Sequence, residues 1–228
     1  MSSLLRKYVR SVLLESVSAD GLAVILGMPP PLWPVGRAAV LIDVAVFNAS
    51  FEANEKKEHN SIAAVKIAAK ESVVGYISCS PPSRGEAWGA WEVTAAAGKG
   101  YGKILYSIGY ALSPKGRLMP DRSSVSDSAR EAWRGASRTH DSLQLDPLPT
   151  NNLTDTEEDD AVVHNEEGME FLDRVYIAKG TEPDMVNQLI GASNKMKSDL
   201  NARFHLNDDD VDEAFLSAGR LFFTRNTK

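Results

Sequence analysis

The run from Trp91 to Tyr106 carries an apolar, strand-like segment through alternating glycines, Gly98, Gly100 and Gly102, straight into an amphipathic helix. Glycines so spaced remove the Cβ atoms that would hold a phosphate away from backbone N–H groups, and the helix presents the positive end of its dipole at the same point. Gly98, Lys99, Gly100, Tyr101, Gly102 and Lys103 therefore read as an anion cradle in which two lysines offset phosphate charge; a plain strand-to-helix turn is the other reading. Asp121 and Arg122 follow the short run Arg117-Leu118-Met119 at a loop position that suits substrate recognition. The same two residues could instead pair with each other or cap the next helix.

Other phosphate and metal chemistries fit less well. Asp121 lies about twenty residues past the glycines, as a ribose-binding acid would, but Gly-x-Gly-x-Gly is not the Gly-x-Gly-x-x-Gly of dinucleotide folds. A Walker loop fails because Gly98 and Gly102 enclose three residues and Ile104 follows Lys103. The four histidines, His59, His140, His164 and His205, are scattered, so no metal site is expected. Asp208 to Glu213 lacks the glycine and terminal Glu of a calcium loop, and no Gly-x-Ser-x-Gly elbow marks a serine hydrolase.

The elements that must position the cradle follow from periodicity and breakers. Leu5, Tyr8, Val9, Val12 and Leu13 recur at helical spacing across Ser2 to Glu15, with Arg6, Lys7 and Arg10 on another face. Leu22 to Leu26 and Ala38 to Phe47 read as strands, separated by Met28-Pro29-Pro30-Pro31. Asn54 to Asn60 reads as a loop, and Ile62 to Ala69 with Val73 to Ser80 as an antiparallel hairpin. After the Trp88 to Ala97 strand and the Tyr101 to Leu112 helix come a short strand at Arg117 to Met119 and a helix from Asp127 to Ser137 capped by Ser126. Leu143 and Leu145 suggest one strand and Arg174 to Ala178 another. Helices are expected at Pro183 to Phe204 and Val211 to Leu221, the second capped by Asn207 or Asp208.

Composition sets the frame. At 228 residues, 43% hydrophobic and 25% charged, the chain suits a globular protein, and no segment approaches the ~18 apolar residues that would mark a membrane span. Cys79, the single cysteine, excludes an intramolecular disulfide and reads as a small core residue. Met1 to Ser16 mixes charges into its apolar positions, unlike a secretory signal, so the expected location is cytoplasmic. The net charge of −6 is uneven: nine acids and no Lys or Arg lie between Asp155 and Asp173, which leaves the rest mildly basic. Such runs are usually solvated, and no dense basic face signals nucleic-acid binding.

The order of elements, with Ala97-Gly98-Lys99-Gly100-Tyr101-Gly102 at the loop, resembles the GCN5-related N-acetyltransferase (GNAT) superfamily. That family's pyrophosphate motif is Arg or Gln, two residues, Gly, any residue, then Gly or Ala; Gly100 and Gly102 match, while Ala97 replaces the Arg or Gln. The segment Gly116 to Trp133 is similar to one in acetyltransferase-like proteins of tailed bacteriophages, and Leu4 to Leu13 is similar to many phage protein N-termini. The resemblance implies an α+β fold: a mixed, mostly antiparallel sheet flanked by helices at 18–180, interrupted by an acidic insertion at about 146–173. An N-terminal amphipathic docking helix at 1–17 precedes it and a C-terminal helical extension at 181–228 follows. It further implies acetyl-CoA as cofactor and direct acetyl transfer to an amine. Gly98 to Lys103 would lie under the pyrophosphate, Glu92 would act as base, and Asp121 and Arg122 would meet the acceptor. The family's usual thiolate acid, a Tyr, is replaced near Trp133 by an indole that cannot give the proton; Trp133 itself reads as a core aromatic. The resemblance leaves a second expectation: a non-catalytic phage virion or interaction protein on the same scaffold, with the N-terminal and C-terminal helices contacting other phage proteins. The location is then host cytoplasm or virion.

Overall fold

The computed structural model describes residues 20–27, 36–58, 60–82, 89–98, 100–121, 125–144, 170–172, 174–179 and 182–227. The expected Ser2 to Glu15 helix, the proline run, Lys99, Arg122 and nearly all of the acidic insertion lie outside these residues.

The first two strands, β1 (Leu22–Gly27) and β2 (Arg37–Asp43), pair antiparallel. The Ala38 to Phe47 segment, expected as one strand, leaves the sheet at Asp43: its carboxylate accepts from Val46 N at 3.0 Å and starts helix α1 (Val44–Glu58). The expected loop from Asn54 forms the last turns of α1, where Asn54 donates to Ser50 O. Ile62 to Ala69, expected as a strand, is likewise helical. Helix α2 (Ser61–Ser72) begins at Asn60, whose side chain accepts from Ile62 N and Ala63 N, and it buries Ala64, Val65, Ala68, Ala69 and Ser72. Four alanines favour the helix, and the buried positions recur at helical spacing rather than alternating. The predicted hairpin is therefore a helix followed by β3 (Val73–Ser80).

Strand β4 (Trp91–Ala97) pairs antiparallel with β3 and leads into α3 (Gly102–Leu112). Then come β5 (Arg117–Met119), α4 (Asp127–Thr139), β6 (Ser142–Gln144), a 3-10 turn at Glu170–Leu172 and β7 (Arg174–Ile177). The chain continues through α5 (Glu182–Phe204) and α6 (Asp208–Asn226). The seven strands form one sheet in the order β1-β2-β3-β4-β5-β7-β6, in which only β4 and β5 run parallel. The fold is α+β, with a mostly antiparallel sheet covered on both faces.

Alternation along β2 shows how the faces are assigned. Ala38, Val40 and Ile42 join a core built with α1, α2 and α6, whereas Ala39 and Leu41 face the core of α3 and α4. Glycines set the approach of two helices: a Cβ on Gly109 of α3 would lie 2.8 Å from Ile77, and one on Gly219 of α6 would lie 2.6 Å from Val40. The C-terminal helices, expected as an extension, are thus built into the core. Phe215 of α6 is fully buried, and α5 packs along β1, giving Val186 and Leu189 to one layer and Met196 and Leu200 to the other.

Candidate functional site

Strands β4 and β5 are joined by two register pairs, Trp91 with Leu118 and Glu92 with Met119. β4 then runs on to Ala97 and stays paired with β3, but β5 has ended. From Val93 onward the β5-side edge of β4 has no strand partner among the described residues. Glu92 stands at the fork and is 7% exposed. Alternation places its side chain on the face opposite Val93, hence away from α3.

At the far end of β4, Gly98 extends the sheet. Its N–H donates to Val74 O at 2.8 Å and its carbonyl accepts from Tyr101 N at 3.2 Å. Neither Gly98 nor Tyr101 therefore offers a spare N–H to a ligand, and Gly98 is small because a Cβ there would sit 3.2 Å from Val74 O. Gly100 makes the turn at φ +92°, which strongly favours glycine.

The available donors lie one step later. Leu105 N is the first in α3 to find an intrahelical acceptor, Tyr101 O, and no group among the described residues accepts from the N–H groups of Gly102, Lys103 or Ile104. Tyr101 at the N-cap supplies no side-chain bond, and the first turn holds no acid. Asp43, Asn60, Ser126 and Asn207 by contrast cap α1, α2, α4 and α6. A Cβ on Gly102 would meet no described residue within 4 Å, so this uncapped start is open among the described residues, with the exposed Lys103 beside it. Sequence reasoning singled out these glycines as a group; it could not tell the N–H groups engaged by the sheet from those left at the helix start.

Asp121 follows the end of β5 and is half-buried. Trp133 is 1% exposed, edge-on to Tyr106 at 5.1 Å and stacked on Tyr176 at 5.3 Å. Burial, with a smaller contribution from Cys79, pushes the Tyr106 phenol up to about 12; burial does the same for Tyr176 against the opposing pull of Arg174. The Tyr176 hydroxyl donates to Phe171 O. This aromatic stack is a structural core between α3, α4 and β7. No group of three or more potential metal-ligating side chains occurs among the described residues, and no described helix is long and apolar enough to cross a membrane.

Fold and site together define an α+β protein with an open, mostly antiparallel seven-stranded sheet, whose parallel pairing ends part-way along the strand that leads to an uncapped helix start. No protein-family model matches the chain, and neither a curated protein nor a solved structure matches it.

Proposed function

We propose that the chain is an acyl-CoA-dependent N-acyltransferase, with the phosphates of the cofactor at the start of α3 and its acyl arm in the fork between β4 and β5. The observation that carries this reading is the set of N–H groups on Gly102, Lys103 and Ile104 that find no acceptor among the described residues, at the end of the strand whose neighbour departs after Glu92. Uncapped helix starts favour phosphate through both their donors and their dipole, and the open space at Gly102 fits such a group. The thioester of the bound cofactor supplies an activated acyl group. The Lys103 ammonium offsets phosphate charge, the Glu92 carboxylate takes the proton of the attacking amine directly or through water, and Asp121 with Arg122 recognises the acceptor.

A second reading, a non-catalytic phage scaffold or virion protein, is favoured by Trp133. Its indole fills the position where the resemblance places a Tyr acid, and it is locked between Tyr106 and Tyr176. Incubation with acetyl-CoA and a panel of amines, followed by free-thiol release, separates the two. The enzyme reading expects release that Glu92→Gln abolishes without loss of acetyl-CoA affinity. Binding without release for any acceptor favours the scaffold.

A further inference from the structure

A groove lies at the β1 edge of the sheet, apart from the fork. Its cavity of about 410 Å³ sits between α1 and α5, floored by Leu22, Phe47, Phe51, Met196 and Leu200 and rimmed by Asn48, Glu52, Lys195, Asp199 and Arg203. A smaller cavity of about 150 Å³ shares Phe51, Glu52 and Arg203 and carries the groove on to Glu55 and Lys56. Glu52, Lys195 and Asp199 form no ion pair with another described residue. An apolar floor between two helices, edged by charges of alternating sign, has the form of a seat for an amphipathic helix.

We propose that this groove seats the chain's own N-terminal segment, Ser2 to Glu15. The described chain begins at Asp20, and its second residue, Gly21, lines the groove. Only residues 16–20 separate the segment from Gly21, and so short a tether confers an effective concentration on the order of millimolar. Leu5, Tyr8, Val9, Val12 and Leu13 supply one apolar stripe at helical spacing for the floor. Arg6, Lys7 and Arg10 flank it with charge that complements Glu52, Glu55 and Asp199, while Glu15 complements the basic rim residues. The segment has fourteen residues and α1 has fifteen, so a helix over the first would run nearly the length of the second. This inference is independent of the acyltransferase reading.

The buried Cys79 makes the test clean, because a thiol placed on the groove is the only accessible one among the described residues. Asn48→Cys on the rim and Val46→Cys, exposed on α1 but outside the groove lining, are labelled with a water-soluble disulfide reagent in the full-length chain. Each is compared with the same chain carrying Val9→Asp/Val12→Asp, or Val9→Ser/Val12→Ser where the charged pair impairs folding. The expected result is labelling of Asn48→Cys at least tenfold faster once the stripe is disrupted, with Val46→Cys unchanged and the protection independent of protein concentration. Equal rates for Asn48→Cys with and without the stripe overturn the proposal. Protection that grows with concentration also overturns it, by assigning the groove to the segment of a second copy.

Discussion

Glu92 and Met119 are the last paired residues between β4 and β5. Beyond them β4 continues to Ala97 against β3 alone, while β5 gives way to Pro120 and Asp121. A single strand thus links the end of the β4–β5 pairing to the turn that starts α3, so the group proposed to react and the groups proposed to bind sit on consecutive elements.

The glycines of that turn separate into different physical roles. Gly100→Ala places a side chain at φ +92° and is expected to cost about 1–2 kcal/mol, a fall of several degrees in Tm. Gly102→Ala meets no described residue within 4 Å and should leave Tm unchanged or slightly raised. Thermal unfolding of the two variants checks this, and an equal loss for both would refute the distinction.

Trp133 is expected to behave as a core residue. Trp133→Ala should destabilise by ~3–5 kcal/mol, and Trp133→Phe by clearly less because it keeps ring contacts with Tyr106 and Tyr176. Denaturant titration measures both, and a Trp133→Ala chain of unaltered stability would contradict the packing described.

Burial pushes the Cys79 thiol up to about 12. Little thiolate exists at pH 8, and the side chain is out of reach of reagents, so native protein should resist alkylation that unfolded protein undergoes readily. Labelling at the same rate with and without denaturant would place Cys79 outside the core.

The Lys197–Asp212 pair, 3.0 Å apart, ties α5 to α6. Burial raises the Asp212 carboxyl above its ordinary value of 3.8, and the attraction of Lys197 opposes that only in part. A raised folded-state pKa means that the folded chain holds the proton more tightly than the unfolded chain. The stability this group contributes is therefore present below 3.8 and is lost as pH rises through the raised value. Relative to the unmodified chain, Asp212→Asn should gain in Tm as pH climbs through that window; a relative loss would reverse the sign.

The region from β4 through α4 was legible in sequence because glycines, a proline and a serine cap punctuate it clearly. The Val44 to Ser72 region was not. There the apolar residues Val44, Val46 and Phe47 look β-prone, yet the Asp43 and Asn60 caps and the alanines decide for two helices, and local propensity cannot weigh a cap against a sheet partner. Gly98, Gly100 and Gly102 were recognisable as a strand-to-helix turn, but the engagement of the Gly98 N–H depends on Val74 O, which only the β3–β4 pairing brings there. Trp133 is the core aromatic that the sequence suggests, and only its partners Tyr106 and Tyr176, from α3 and β7, were beyond local reading.

The most direct test of the central claim is calorimetric titration of the full-length chain with acetyl-CoA, alongside Gly102→Val. The branched side chain at Gly102 would project into space that no described residue fills, over the first N–H groups of α3. The account predicts saturable binding at one site per chain, weakened at least tenfold in Gly102→Val at similar Tm. Absence of binding to the unmodified chain, or equal affinity in the two proteins, would contradict it.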